Sequence, residues 1–187
     1  AVRLPCSSPE NKAVARYLVQ LPPEYDARRR YPAVVALHGA GATPLQQIEW
    51  WAGTTTENGQ REGQGGRHGA IIIAPAWGEK TQLNYRYSPK EHSVVLAVLR
   101  EASRQFSLDS DRVFLSGHSM GGDAAWDIGL SHPDLWAGVI VVSGKAGRYV
   151  HHYHQNARTL PFYIVCGGRD HTTFSANEMD LDRYLKK

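Results

Sequence analysis

The sequence predicts an α/β fold: a mostly parallel, doubly wound sheet with helices on both faces. Five short apolar runs lack polar alternation, as strands covered on both faces do. They span residues 34–37, 71–74, 113–115, 139–142 and 162–166. Segments whose apolar residues recur at helical spacing separate these runs. Strand and helix therefore alternate along the chain, which is the order expected of a parallel sheet with helical crossovers.

The composition is that of a single globular domain. The chain has 187 residues, enough for one domain and too few for two of ordinary size. Apolar residues make up 42% and charged residues 21%, which excludes a mainly disordered chain. No apolar run approaches the ~20 residues of a membrane span. The net charge of +3 comes from scattered basic residues and gives no indication of nucleic-acid binding, and two cysteines make no disulfide framework.

Neither end of the chain has the sequence pattern expected of a natural terminus. Residues 1–12 contain two prolines and two adjacent serines and predict a tail or linker, so that the folded domain spans residues 13–187. The chain begins without Met or a signal-peptide pattern and stops inside a predicted helix. We therefore expect a piece of a longer protein, incomplete at its C-terminus, and its localisation is not readable.

The remaining elements follow from local patterns. Residues 15–21 alternate between apolar and polar side chains, which predicts a strand near a sheet edge. The clearest helix begins at Ser88, because Pro89 suits the first helical position and Glu91 completes a capping box. Further helices are predicted over residues 119–131, 151–158 and 175–186, and the glycine-rich residues 53–69 predict a loop.

Residues 117–121, with the sequence Gly-His-Ser-Met-Gly, stand directly between a predicted strand and a predicted helix. A chain that reverses within one residue forces Ser119 into a strained conformation and crowds its neighbours. Glycine at Gly117 and Gly121 removes the Cβ atoms that would collide. The turn displays the Ser119 hydroxyl at the carboxyl edge of the sheet, beside a helix N-terminus. This context predicts a nucleophilic serine and disfavours a chance serine in a glycine-rich turn.

A second turn, residues 38–41, follows the first core strand with the sequence His-Gly-Ala-Gly. Acyl transfer requires two N–H donors for the developing oxyanion. We expect one from Met120, after the nucleophile, and the other from Ala40 or a neighbour such as Gly41. A phosphate-binding loop does not fit, because Pro44 replaces the third glycine and no Lys-Ser or Lys-Thr follows. A plain strand-exit turn is the alternative.

These motifs resemble the α/β-hydrolase superfamily over nearly the whole chain. The Leu-His-Gly turn, the Gly-His-Ser-Met-Gly-Gly elbow and the Leu-Pro-Pro-Glu-Tyr opening are similar to those of polyhydroxybutyrate-depolymerase-like, feruloyl-esterase-like and prolyl-oligopeptidase-like enzymes. The resemblance implies the catalytic order Ser, Asp, His. Asp170 stands in the loop where the family places its acid. It also implies a fold that lacks its last strand and helix, so the histidine is expected beyond Lys187; His171 adjoins Asp170, and adjacent side chains diverge.

Several aromatic residues are candidates for a substrate pocket. Trp77 and Tyr85 follow a core strand at the edge expected for Ser119. Together with Gly41 they are expected to line the pocket, although packing of the long loop explains the two aromatics equally well. Trp50 and Trp51 end a predicted helix, and we expect one to face the core and the other to border the pocket.

The combined pattern predicts hydrolysis of a small-molecule carboxylic ester through an acyl-enzyme on Ser119, with no metal or organic cofactor. A prolyl-oligopeptidase-like serine peptidase would use the same triad and is one alternative. A non-catalytic binding module on the same fold is another. Neither the acyl specificity nor the oligomeric state follows from the sequence.

Overall fold

The computed structural model describes residues 2–8, 11–57, 59, 61, 63–148, 150–170, 173 and 175–177. Seven strands form one sheet: β1 (Val2–Ser8), β2 (Asn11–Gln20), β3 (Tyr31–Leu37), β4 (Ile71–Pro75), β5 (Leu108–His118), β6 (Gly138–Val142) and β7 (Phe162–Val165). Their order is β1-β2-β4-β3-β5-β6-β7. Pairs among β4, β3, β5, β6 and β7 are parallel, whereas β1 and β2 join antiparallel. All five predicted core strands are confirmed.

The helices are α1 (Pro44–Ala52), α2 (Gln64–Arg67), α3 (Pro89–Gln105), α4 (Met120–Ser131) and α5 (Val150–Tyr153), with 3-10 turns at Pro133–Leu135 and His154–Arg158. The predicted capping box of α3 is confirmed, since Ser88 accepts from the Glu91 backbone and the Glu91 side chain accepts in return. Residues 173 and 175–177 are helical. The other positions of the predicted helix over residues 175–186 lie outside the described residues.

Helices cover both faces of the sheet, as predicted. On one face, Val35, Ile71 and Ile73 pack in a buried cluster that includes side chains of α3 and α4. On the other face, Val34 and Ile72 pack in a second buried cluster with side chains of α1. Neighbouring residues of one strand therefore serve opposite cores, which explains why the strands show no polar alternation.

The prediction that residues 1–12 form a tail or linker is wrong, because most of these residues belong to strands. Val2–Ser8 forms the edge strand β1, paired antiparallel with β2, which itself begins at Asn11. Pro5 and the serines favoured a loop by composition alone. An edge strand tolerates proline, because half of its backbone groups need no partner in the sheet. The predicted loop over residues 53–69 likewise contains the short helix α2.

Parallel pairing places the carboxyl ends of β3, β5, β6 and β7 at one edge of the sheet. The turns that follow these strands carry the predicted functional residues, and such edges are where α/β sheets bind ligands. Among the described residues, no helix combines the length and the hydropathy needed to cross a membrane.

Candidate active site

Ser119 occupies the sharp turn between β5 and α4 in a strained conformation. Its backbone has φ 54° and ψ −122°, a region that side chains other than glycine rarely adopt. The Ser119 N–H donates to the carbonyl of Val142 on β6 at 2.8 Å, and the Ser119 carbonyl accepts from the Gly122 N–H at 2.7 Å. The neighbouring strand and the helix start thus hold the turn in place, and the predicted elbow geometry is confirmed.

The glycines on either side of Ser119 permit backbone contacts that a Cβ atom would block. A Cβ on Gly117 would lie 1.8 Å from the Gly121 carbonyl oxygen, so the predicted crowding across the elbow is confirmed. A Cβ on Gly121 would lie 2.3 Å from the carbonyl oxygen of Leu37, the last residue of β3. The elbow is therefore pressed directly against the strand that leads into the predicted oxyanion turn.

The predicted oxyanion turn adjoins the nucleophile. A Cβ built on Gly39 would lie 3.2 Å from Ser119 Cβ, and Gly41 takes the left-handed φ of +69° that glycine accommodates. Ala40 between them is exposed. Met120 is the first residue of α4, a position whose N–H has no acceptor within the helix. The turn and the start of α4 therefore both adjoin Ser119.

His38 packs against this turn. It is buried, and its Nδ1 lies 3.0 Å from the Gly39 carbonyl oxygen, so that nitrogen carries the proton and donates. Its ring centroid is 5.7 Å from that of Trp77. Burial lowers the pKa of His38, partly opposed by the bond to Gly39, and keeps the imidazole neutral near pH 7. His38 is therefore a packing residue beside the predicted oxyanion turn.

Trp77 and Tyr85 do not present open faces to a pocket. Each is at most 5% exposed, and their ring centroids lie 5.9 Å apart. The Tyr85 hydroxyl donates to Asp127 of α4 at 2.7 Å. The pocket assignment of these two residues is therefore corrected in favour of the packing alternative: the loop after β4 folds inward because its aromatic rings and hydroxyl find partners in the core.

Asp127 anchors that packing. It is 1% exposed and accepts hydrogen bonds from Tyr85, from His92 Nε2 at 2.9 Å, and from the Tyr153 hydroxyl. Burial alone would raise its pKa, but these three donors outweigh burial and hold the pKa of Asp127 below its usual value. Among the described residues, no group of three or more His, Cys, Asp or Glu side chains is placed to hold a metal ion.

Trp50 is the aromatic residue that the structure exposes near the nucleophile. Its side chain is 51% exposed, whereas Trp51 is partly buried and packs against the second buried cluster, the one that includes side chains of α1. The Trp50 ring lies 5.6 Å from the ring of His118, which in turn stands beside the Gly39 backbone. The prediction that one tryptophan faces the core is confirmed. Helical spacing alone did not identify which one, because the two are adjacent in the last turn of α1.

Asp170 follows β7, two strands from the nucleophile strand, as predicted. Its backbone N–H donates to the Gly167 carbonyl at 2.9 Å, and its Oδ1 accepts from the Thr173 N–H at 3.2 Å. Hydrogen bonds from Thr173, another from the Ser143 side chain, and the nearby charge of Lys145 lower the pKa of Asp170. The carboxylate is ionised near pH 7. The neighbouring His171 lies outside the described residues.

Ser143 is a site residue that the sequence analysis missed. It follows β6, adopts φ 48°, and donates its N–H to the Val165 carbonyl of β7 at 2.8 Å. Its side chain is among the groups that lower the pKa of Asp170. No local motif signals this role, because a serine after a strand is common and its partner stands 27 positions further along the chain.

The chain is similar to known esterases and peptidases in sequence and in fold. The family model described as "Putative esterase" matches residues 8–180. Dipeptidyl-peptidase 5 of Porphyromonas gingivalis is 26% identical over 129 residues, which cover 67% of this chain and 19% of that protein. A thermostable esterase superposes with a TM-score of 0.77 at 19% identity, over 99% of this chain and 51% of that one.

A second solved structure extends the structural match. The fluorophosphonate-binding serine hydrolase FphF of Staphylococcus aureus has a TM-score of 0.72 at 18% identity, over 97% of this chain and 85% of that one. At such identities the structural matches show the shared α/β-hydrolase fold. The chain spans about one fifth of the dipeptidyl-peptidase and about half of the thermostable esterase.

Proposed function

The chain belongs to the esterase family whose model it matches over residues 8–180, and from this premise we propose that it hydrolyses carboxylic esters with Ser119 as the nucleophile. The observation that carries the proposal is the strained conformation of Ser119 between β5 and α4, with the Gly39 backbone packed against it. Such strain persists only where the surrounding structure enforces it, and it is characteristic of residues that act in chemistry.

In this mechanism the Ser119 oxygen attacks the ester carbonyl, the alcohol leaves, and water then hydrolyses the acyl-enzyme. The tetrahedral intermediates place negative charge on the carbonyl oxygen. We assign the stabilising donors to the backbone N–H groups of Met120 and Ala40. Support comes from the place of Met120 at the positive end of α4 and from the exposed turn that carries Ala40.

Asp170 is assigned the role of the triad acid. Its lowered pKa makes it a carboxylate at neutral pH, able to orient a histidine base and to stabilise the imidazolium that forms during attack. The base is proposed to be a histidine, as the family resemblance implies. The chemistry requires neither a metal ion nor an organic cofactor.

The proposed substrate is a small-molecule ester that enters beside Gly41 and the exposed ring of Trp50. A serine peptidase is the second candidate, because the chain is related to Dipeptidyl-peptidase 5 of Porphyromonas gingivalis and a peptidase would use the same elbow. A binding module is disfavoured, since binding alone gives no reason to maintain the strain at Ser119.

The test uses the full-length protein with a fluorophosphonate probe, an activated ester and a dipeptidyl amide. We expect Ser119 to be labelled and the ester to be hydrolysed, with both lost in Ser119→Ala. Faster cleavage of the amide than of the ester would favour the peptidase. Equal labelling of the wild type and Ser119→Ala would remove Ser119 from the mechanism.

A further inference from the structure

We propose that a cleft between α3 and the end of α4, lined by His92, Arg100 and His132, binds an organic monocarboxylate with an apolar body. The cleft has a volume of about 570 Å³, which is within the range of ligand pockets in proteins. None of its described lining residues belongs to the elbow, residues 117–121, or to the turn at residues 38–41. The inference is therefore independent of the chemistry proposed for Ser119.

One face of α3 forms the first wall of this cleft. Four residues at intervals of three and four positions lie along one side of the helix. They are Pro89, His92, Leu96 and Arg100. Apolar and basic side chains therefore follow one another along this wall, with the guanidinium at its far end.

The opposite wall comes from the second half of α4 and from α5. It contains Asp127, His132, which directly follows α4, and Tyr153 of α5. Asp127 stands seven residues after Met120, about 10 Å along the helix at a rise of ~1.5 Å per residue. The cleft is thus separated from the start of the helix, where Ser119 stands.

The carboxylate of Asp127 is already satisfied by its neighbours. Its Oδ1 accepts from the Tyr153 hydroxyl. Its Oδ2 accepts from the Tyr85 hydroxyl at 2.7 Å and from His92 Nε2 at 2.9 Å. Asp127 is the one acidic residue in the described lining. Because its charge is directed into three donors, it leaves the cleft without an open acidic group.

The two histidines join the walls of the cleft. His92 Nδ1 lies 3.4 Å from His132 Nε2, so that one of these nitrogens carries a proton and the other accepts it. Asp127 fixes the His92 ring through its other nitrogen. Within the part of the chain that the structure describes, His132 Nδ1 has no hydrogen-bond partner. When the shared proton belongs to His92, the proton of a neutral His132 is on Nδ1, where it can be donated to a ligand.

Arg100 supplies the permanent positive charge. Its side chain is exposed, and no carboxylate oxygen of the described residues lies within 4 Å of its guanidinium. By contrast, Arg104, four residues further along α3, pairs with Glu101 at 3.8 Å. A guanidinium offers two parallel N–H donors that match the two oxygens of a carboxylate. The cation and the imidazole together therefore fit a single negative charge.

The remaining surface of the cleft selects for an apolar body on the ligand. Its described lining includes the rings of Tyr87, Pro89 and Tyr153 and the side chain of Leu96. An inorganic anion would leave this surface in contact with water, whereas an aryl or alkyl group would cover it. A carboxylate that carries such a group satisfies both parts of the cleft.

The first experiment titrates the full-length protein with 4-phenylbutyrate by isothermal calorimetry. We expect saturable binding with a Kd of about 1 mM or tighter. The primary amide, 4-phenylbutyramide, should bind about tenfold or more weakly, because it lacks the charge that Arg100 pairs with. Acetate should also bind about tenfold or more weakly, because it lacks the apolar body. Equal affinity for the acid and the amide, or no saturation by the acid up to about 10 mM, overturns the inference.

Matched variants locate the bound acid in this cleft. Arg100→Gln should weaken binding of 4-phenylbutyrate by about tenfold or more, whereas Arg104→Gln on the same helix should change it by less than about twofold. Arg100→Lys keeps the charge without the paired donors, so its affinity should fall between those of the wild type and Arg100→Gln. Both arginines are exposed, so we expect all three variants to fold.

Ser119→Ala distinguishes this cleft from the proposed active site. It should bind 4-phenylbutyrate as the wild type does, because Ser119 lies outside the cleft. Wild-type affinity in Arg100→Gln together with lost affinity in Ser119→Ala would place the acid beside the nucleophile and overturn the inference. The proposed ester hydrolysis would be unaffected by that result.

Discussion

The two sides of the candidate site are held by different physical means. On the nucleophile side, backbone lies directly on backbone: a Cβ on Gly121 would sit 2.3 Å from the Leu37 carbonyl oxygen. On the acid side, no described atom beyond the chain neighbours lies within 4 Å of a Cβ built on Gly168, and hydrogen bonds with the backbone of Gly167 and Thr173 hold Asp170. Part of the steric constraint at the elbow acts within a few residues, since a Cβ on Gly117 would meet the Gly121 carbonyl. The turn after β6, by contrast, is held by side chains from distant parts of the chain, Asp123 and Asn177.

The largest expected effect separates chemistry from folding on the nucleophile side. Ser119→Ala should lower kcat/KM for an activated ester by about 1,000-fold or more, because the hydroxyl serves the reaction alone. The melting temperature of Ser119→Ala should remain within about 2 °C of the wild type, since the turn depends on Gly117 and Gly121 and not on the serine hydroxyl. Ser93 on α3, whose hydroxyl donates to the Lys90 carbonyl, provides a remote control that should keep full activity as Ser93→Ala.

The next effect tests the steric contrast with one substitution at two glycines. Gly121→Ala should lower the free energy of unfolding by about 3 kcal/mol, because its Cβ meets the backbone of β3 and something must shift. Gly168→Ala should change it by less than about 1 kcal/mol, since its Cβ enters open space and its φ lies outside the left-handed region. Chemical denaturation measures both. Equal losses would show that the two sides are held alike.

This contrast explains which parts of the site were predictable from the sequence. The elbow is encoded in five adjacent residues, and its strain depends on glycines that stand within that window. Asp170 was placed correctly because it follows an apolar strand at the same sheet edge. The contacts of the turn after β6 were not predicted: Asp123 and Asn177, which bind the backbone of Lys145 and Ala146, stand 54 positions apart, and no local pattern connects them.

The fold shows the same division. The five core strands were predictable because strands buried on both faces read as uninterrupted apolar runs. The edge strand β1 was not, because pairing at an edge depends on the backbone, while Pro5 and the serines indicated a loop. Trp77 and Tyr85 were misplaced for a related reason. Tyr85 binds Asp127 of α4 and Trp77 packs on Tyr85, contacts that loop position alone does not reveal.

A smaller effect concerns the stability that the protein loses by burying the charge of Asp123 on α4. Burial raises the pKa of Asp123, against the opposing effects of the Lys145 N–H and charge. Because its folded pKa lies above the unfolded value, the stability linked to Asp123 is fully present below the unfolded pKa and is lost as pH rises through the folded pKa. Asp123→Asn keeps an acceptor for Lys145 and removes the charge.

We therefore expect Asp123→Asn to melt about 2 °C above the wild type at pH 7, with the difference closing as pH falls below about 4. Asp127 provides the opposite control on the same helix. Its pKa is lowered by its three donors, so its contribution is present above the unfolded pKa and lost as acid is added. Asp127→Asn should accordingly be destabilising at pH 7. Parallel pH dependences for the two variants would contradict this assignment.

The smallest expected effect tests whether Trp50, which lies near the nucleophile, also contacts the substrate. Trp50 keeps half of its surface exposed and lies against His118, next to the turn that adjoins Ser119. An aromatic group on the ester would stack on this ring, worth about 0.5–1.5 kcal/mol, so Trp50→Ala should lower kcat/KM for an aryl ester by about threefold. An alkyl ester of the same acid should be hydrolysed nearly as before. Trp50→Phe should restore most of the aryl preference, and Leu45→Ala, an exposed apolar side chain on the same helix, should leave it unchanged. Equal losses for the aryl and alkyl esters would assign Trp50 to the support of α1 and leave recognition of the substrate to other groups.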